Sequence, residues 1–139
     1  MPMKKKDIEK LLKKPNVAVV AVTAPGGAPH AVPTWYEYDK GQIFFHTGAE
    51  AFKTKCLQAD PRVTLVVDTR KPPYKSVILK GSATLEEKTD DKRLERMAHA
   101  YLGKKQGKAY AKGLKGQKVI VVSFKPEHTV SWDYGKESP

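Results

Sequence analysis

The sequence predicts a mainly β domain of the α+β class. The expected architecture is an antiparallel barrel of about six to seven strands with about three short helices over its ends. Three observations carry this. First, the 139 residues are a one-domain length, long enough for one core without disulfide or metal staples. Second, about seven short apolar, β-branched runs recur between Gly, Pro and Asp turn signals. Third, most connections between those runs are too short for the crossovers that parallel strands need, and a closed wall of strands protects edges that would otherwise be exposed.

Residues 3–14 read as a helix, because Ile8, Leu11 and Leu12 fall at i, i+3, i+4 among lysines, and Pro15-Asn16 stops it. Val17–Thr23 is a nearly continuous β-branched run, expected in a barrel wall or buried on both faces. Pro25-Gly26-Gly27 turns the chain into a returning strand, His30–Tyr38. Pro33 inside that strand cannot donate to a ladder, so the strand is expected at an edge, or bulged, or with amides facing something other than a strand. Asp39-Lys40-Gly41 is a tight turn before the strand Gln42–Thr47. Thr47-Gly48-Ala49-Glu50 fits the capping box and is expected to open a helix over about 49–59, with Phe52, Cys56 and Ala59 on one face. Arg62–Asp68 repeats the buried-strand pattern. Lys75–Glu87 reads as one long strand, with Gly81 marking a bulge or a close backbone approach. Thr89, followed by Asp90 and Asp91, caps an amphipathic helix whose stripe is Leu94, Met97, Ala98, Tyr101 and Leu102. Gly103 breaks it. The Lys- and Gly-rich segment 104–117 holds a weaker helix, and Val119–Phe124 and Thr129–Trp132 are the last strands. Residues 1–139 form one domain, with 1–4 and 135–139 expected to be flexible.

The charge is the most unusual property. Twenty-six basic residues against 15 acidic ones give +11, and the pI is about 9.7. Such a surplus attracts nucleic acid, phosphate or an anionic cofactor. The basic residues are overwhelmingly lysine, with arginine only at 62, 70, 93 and 96. Sequence-specific nucleic-acid reading favours the planar arginine fork, so that class is disfavoured. The longest apolar run, Val17–Val22, falls far short of the ~20 residues of a membrane helix. Lys4-Lys5-Lys6 leads into an amphipathic helix rather than the apolar core of a signal peptide. One cysteine, Cys56, makes no internal disulfide, and the expected location is the cytoplasm.

Motifs for direct chemistry are absent from the sequence. His30, His46, His99 and His128 are scattered, and no pair has metal-ligand spacing on a helix, so no metal is expected. No nucleophile elbow, Walker loop or dinucleotide fingerprint is present. What remains is an anion-ready segment, in which Thr47 offers a hydroxyl, Gly48 permits close approach, and Lys53 and Lys55 bring ammonium groups to a helix start. Aromatic residues concentrate in the strands, and Trp35 and Trp132 suit a flat-ligand groove or a subunit seam as well as a core.

The ordered set Val17–Thr23, Gly27-Ala-Pro-His30-Ala-Val-Pro33-Thr-Trp35, Ile43-Phe-Phe-His-Thr47-Gly, Lys53 with Leu57-Gln-Ala-Asp-Pro61-Arg-Val, and Lys80-Gly81-Ser-Ala-Thr resembles the pyridoxamine-phosphate-oxidase-like flavin-binding split barrels. The match spans about residues 5–133. The Lys71–Tyr74 loop and the ending Ser131-Trp132-Asp133-Tyr134 are similar to the branch of FMN-dependent and deazaflavin (factor 420)-dependent reductases. The resemblance implies a homodimer of split β-barrels with two cofactor sites at the interface. It implies that Val32, Pro33, Thr34 and Trp35 run along the ring system, that His46 and Thr47 flank it, and that Thr47, Lys53 and Lys55 hold the phosphate. It further implies that Tyr74 and Trp132 line the pocket, from the second subunit in one arrangement. The implied activity is hydride transfer between FMN or deazaflavin and a small planar acceptor. The vitamin B6 oxidases proper carry C-terminal Arg and His groups for the substrate phosphate, whereas this chain has Lys136 and no Arg there, so pyridoxamine phosphate is not the expected substrate. Two other classes stay open on the sequence. One is a non-catalytic flavin-, haem- or tetrapyrrole-binding barrel for storage, carriage or sensing, and the other is a basic nucleic-acid-binding barrel.

Overall fold

The chain was analysed as a computed structural model, which describes residues 1–87 and 91–136. The order of elements is α1 (Lys5–Leu12), β1 (Ala18–Thr23), β2 (Pro29–Thr34), β3 (Glu37–Asp39), β4 (Gln42–Gly48), α2 (Phe52–Ala59), β5 (Arg62–Asp68), β6 (Lys75–Ser82), β7 (Thr84–Glu87), α3 (Asp91–Leu102), α4 (Lys104–Gly113), β8 (Val119–Phe124) and β9 (His128–Asp133). Every strand pair is antiparallel. The strands form a five-stranded sheet, β2-β1-β5-β6-β9, and a four-stranded sheet, β3-β4-β8-β7. The α+β, antiparallel split-barrel class read from the sequence is the class observed, but the two sheets pack together without closing into one continuous wall. The described residues hold nine strands and four α-helices rather than six to seven and three.

The extra strands come from two breaks. The run His30–Tyr38 divides at Trp35-Tyr36, so that β2 stays with β1 while β3 pairs with β4 in the other sheet. The run Lys75–Glu87 divides at Ala83, whose amide donates to the Pro61 carbonyl at 2.8 Å. There β6 leaves the first sheet and β7 enters the second. Gly81 permits the crossing: a Cβ on it would lie 2.9 Å from both the Lys125 carbonyl oxygen and the Phe124 ring. That is the close backbone approach expected there.

The core lies between the sheets. Val20, Ile43, Phe45, Leu65, Val67, Val77, Leu79 and Val122 are fully buried within it, and Leu11, Leu12 and Leu57 close it from α1 and α2. β1 and β5 alternate buried with half-buried positions, the pattern of a wall with one face inward. β2 is an edge strand, so Pro33 costs the sheet little there. On the opposite edge, residues 1–3 are tied down: the Asp133 amide donates to the Met1 carbonyl at 2.7 Å, and the Met3 amide donates to Ser131 Oγ at 2.9 Å. Met3 is buried, which differs from the looseness expected of residues 1–4.

Two local expectations are corrected. The capping box does not form. Thr47 and Gly48 remain in the ladder opposite Ile120 and Val119, and α2 starts at Phe52 with Ala51 as its N-cap and no side-chain cap. Phe52 and Ala59 are exposed; the buried face of α2 is Thr54, Cys56 and Leu57. The Thr89 cap, and residues 137–139 of the expected flexible tail, lie outside the described residues.

The helices α3 and α4 form a hairpin beside the barrel. Gly103, at φ 84°, turns the chain between them. Gly107 lets α4 press onto α3, since a Cβ there would meet His99 N at 2.7 Å and Ala98 C and O at 2.8 Å. Arg93 clamps α3 to the barrel. Its guanidinium bonds Glu37 and lies 3.3 Å from Asp39 Oδ2 and 3.7 Å from the Phe44 ring centroid. Arg96 adds a bond to Glu37 at 3.0 Å.

Candidate functional site

Between the hairpin and the barrel lies a cavity of about 450 Å³, within the range of roughly 300–1,000 Å³ common for small-molecule sites. The β side is lined by Pro33 and Thr34 of β2, the following Trp35, and His46, Thr47 and Gly48 of β4. The helical side is Leu94 and Met97 of α3, Tyr110 of α4 and Leu114 after it. Val17 and the segment Gln117–Val119 complete the rim.

Trp35 is the fixed plate of this cavity. It stacks on Tyr101 with centroids 4.9 Å apart and planes 9° from parallel. The Tyr101 hydroxyl donates to the Asn16 carbonyl at 2.7 Å and accepts the Tyr36 amide at 3.2 Å. Burial pushes the Tyr101 phenol up to about 12, against a smaller opposing effect of the Tyr36 hydrogen bond. Burial, reinforced by Tyr101, also pushes Tyr36 well above the ordinary phenol value, despite a hydrogen bond at Asn16. Both rings therefore stay neutral and in place at physiological pH. Tyr110 meets Trp35 from another side at 5.1 Å and 53°.

The hydroxyls on the β side are already committed. Thr34 Oγ1 donates to the Trp35 carbonyl at 3.0 Å. Thr54 donates to the Gly48 carbonyl at 2.7 Å, so in the 2.9 Å contact between Thr47 and Thr54 the proton comes from Thr47. Each hydroxyl has one proton, and Thr47 thus keeps only acceptor capacity toward the cavity. No activated hydroxyl remains to attack a substrate. The arrangement can hold and orient a flat molecule, which is the protein's share of the work when a cofactor carries the chemistry.

The predicted site residues fall into three places. Pro33, Thr34, Trp35, His46 and Thr47 come together in the cavity. Val32 packs against the core beside them. Lys53 and Lys55 lie on α2, reached from β4 by a short turn; neither lines the cavity. Lys55 pairs with Glu50 at 3.4 Å in solvent. Lys53 is half-buried, and burial pushes its ammonium below the ordinary lysine value. His30 of β2 meets Phe52 of α2 edge-on at 4.8 Å, joining the start of this helix to the edge strand. Tyr74 and Trp132 are elsewhere, near Tyr134, whose ring is 6.1 Å from Trp132 and whose amide donates to the Tyr74 carbonyl at 2.9 Å. Trp132 is on β9, four strand spacings or roughly 19 Å across the sheet from β2. Within one chain they do not reach the cavity.

Sequence reasoning missed the helical wall. The stripe holding Leu94 and Met97 was legible, but its partner surface was not. Tyr110 sits in a Lys/Gly-rich segment, where Gly107, Tyr110 and Ala111 at i, i+3, i+4 were the available signal. Among the described residues, no three His, Cys, Asp or Glu side chains gather as metal ligands, and no helix is long and apolar enough to cross a membrane.

Several solved structures share this fold. A conserved hypothetical protein of Mycobacterium tuberculosis is 24% identical, with a TM-score of 0.80 over 99% of this chain and 91% of that one. An F420 reductase is 18% identical, with a TM-score of 0.70 over 87% and 94%. The heme storage protein HutZ of Vibrio cholerae is 14% identical, with a TM-score of 0.70 over 93% of each. No curated protein matches the chain. The family model described as pyridoxamine 5'-phosphate oxidase matches residues 5–132. With nearly the whole chain matched and the two-sheet architecture in agreement, the protein belongs to the pyridoxamine 5'-phosphate oxidase family, whose fold is a flavin-binding split barrel.

Proposed function

We propose that the protein is an oxidoreductase that moves a hydride between a bound flavin, either FMN or the deazaflavin coenzyme (factor 420), and a small planar acceptor. The observation that carries this reading is the cavity between β2, β4 and the α3–α4 hairpin. It has one rigid aromatic plate, an apolar helical wall and no activated nucleophile. A bound flavin or deazaflavin supplies two-electron chemistry that such a lining lacks.

The chain's residues do the rest. Trp35, held by Tyr101, gives the ring an immobile neighbour. The outer edge of β2 presents backbone groups that no strand among the described residues pairs, which suit the polar rim of a flavin-type ring. Leu94, Met97 and Leu114 exclude water from one side. Lys53 and Lys55 hold the cofactor phosphate. A partly desolvated ammonium such as Lys53 gains more from an anionic partner than a fully solvated one. The working form is a homodimer in the cytoplasm. In it the partner copy brings its β9 edge to this cavity, because the chain's own Tyr74 and Trp132 lie across the sheet from it.

The test is a parallel titration of cofactor-stripped protein with FMN and with the deazaflavin coenzyme, followed by fluorescence. Micromolar or tighter binding of at least one is expected. Lys53→Ala should weaken it tenfold or more, since a charge-assisted phosphate contact contributes about 1.5–3 kcal/mol. Failure of both cofactors to bind overturns the proposal. Tight binding with no reoxidation of the reduced cofactor by added acceptors, beyond the rate with oxygen or buffer, replaces the enzyme with a carrier or sensor.

A further inference from the structure

We infer that the small molecule received by this cavity is a planar aromatic anion, with Tyr110 against its face and Lys118 as its counter-ion. This rests on the reading above, which gives the β side of the cavity to the cofactor and leaves Tyr110 and the rim without a role.

The shape points to a flat ring. The helical wall is apolar at Leu94, Met97 and Leu114. Tyr110 is its only aromatic group, and it is 43% exposed. Its ring is tilted 53° from Trp35, whereas Tyr101 lies 9° from parallel on the same indole. Tyr110 thus touches Trp35 without lying flat on it, and the exposed part of its ring leaves a face on which a flat guest can stack. The Tyr101 side is closed by two backbone hydrogen bonds.

The charge points to an anion. None of the lining residues is Asp or Glu, and the one lysine among them is Lys118 at the rim. Its ammonium lies 3.6 Å from Glu87, but the two side chains are 70% and 73% exposed. Such a surface pair is weak and readily exchanged for another carboxylate. Lys112 and Lys115, exposed at the end of α4 and just beyond it, add positive potential near the mouth. A cationic guest would face Lys118 from within the lining, with Glu87 outside the lining as its nearest described carboxylate partner at the rim.

The test uses three probes of one shape: 2-naphthoate, neutral 2-naphthamide and cationic 2-naphthylmethylammonium. Calorimetric titration of the unaltered chain gives the affinities, and in Trp132→Phe, where Trp35 is the only tryptophan left, its quenching places the probe in the cavity. Naphthoate should bind at least tenfold more tightly than the ammonium probe, with the amide between them. Lys118→Gln should remove most of that spread, and Tyr110→Ala should weaken all three probes while Tyr110→Phe retains them. Circular dichroism on each variant verifies the fold. Equal affinity for the three probes, a preference for the cation, or a spread that survives Lys118→Gln would overturn the inference. So would naphthoate that FMN or the deazaflavin coenzyme displaces completely, because the probe would then occupy the cofactor's own seat. Cofactor binding without naphthoate binding overturns this inference and spares the proposed function. Charge-selective naphthoate binding without cofactor binding does the reverse.

Discussion

Gly107→Ala sets two effects of opposite sign against each other. Gly107 lies within α4, where helix propensity alone favours alanine by about 1 kcal/mol. The new methyl, however, would sit 2.7 Å from His99 N and 2.8 Å from Ala98 C and O. These are backbone atoms of α3 and cannot swing aside. Relief to an ordinary contact of about 3.5–4 Å needs the helices to part by roughly 1 Å. Overpacking of this kind costs typically 1–3 kcal/mol, and an obstacle made of main chain belongs in the upper half. The net expectation is a destabilisation of about 1–2 kcal/mol, read as a fall of several degrees in the unfolding midpoint. Because α4 carries Tyr110, the cavity should change with it. Trp35 emission should shift in a Trp132→Phe background, and affinity for cavity ligands should drop several-fold. A variant that unfolds at a higher temperature than the parent, with unchanged Trp35 emission, would falsify the tight α3–α4 crossing.

Three further outcomes follow from the packing. Arg93→Met should lower stability by about 1–3 kcal/mol, because Arg93 is hydrogen-bonded to Glu37, lies 3.3 Å from Asp39 and caps the Phe44 ring. Arg93→Lys should rescue little, since an ammonium lacks the planar fork; full rescue in urea unfolding would show that charge alone matters. Thr54→Val should cost about 1–3 kcal/mol by stranding the Thr47 proton. Adding Thr47→Val should recover part of that loss, and strictly additive losses in the double-mutant cycle would sink the proton assignment. Tyr101 is a neutral acid whose folded value is raised to about 12 from 10.0. The folded state therefore holds its proton where the unfolded chain has lost it, so its contribution is complete below pH 10 and declines as pH rises toward 12. Tyr101→Phe should flatten urea midpoints measured between pH 10 and 11 relative to the parent; an identical slope would refute the role of Tyr101.

Much of the fold was legible because solvent contrast writes itself into local periodicity. The residues of β1 and β5 face a core on one side only, and their alternation shows it. Pro33 announced an edge strand because a missing donor is tolerated in few places. Gly81 announced a close approach for a comparable reason. The failures occurred where distant partners decide. The run 75–87 is β-forming throughout, and only Phe124 and Lys125 crossing at Gly81 make it change sheets. Thr47-x-x-Glu50 has the letters of a cap, but its threonine finds Thr54 and its backbone finds β8, so the helix begins later. On the β side of the cavity, Pro33, Trp35 and His46 stood in ordered strand motifs. On the helical side, Tyr110 depends on how α4 lies against α3, which no local pattern encodes.

The charge has a similar division between what the count says and what placement adds. All four arginines are paired with carboxylates of their own chain: Arg62 with Asp60, Arg70 with Asp68, and Arg93 and Arg96 with Glu37, with Asp39 also in reach of Arg93. Four arginines and these four acids cancel, so the net +11 rests on 22 lysines set against the other 11 acids. Bidentate reading of guanine or of phosphate needs the planar fork, which only four residues of the chain carry and which Arg93 and Arg96 direct at Glu37. What remains is a field of hydrated ammonium groups, which raises encounter rates for any anion but distinguishes poorly between anions. Discrimination must then come from shape, and Trp35 and Tyr110 bring the flat surfaces that supply it to the cavity. On the proposed function, the lysine surface would concentrate anions near the protein and the aromatic cavity would select those that are planar.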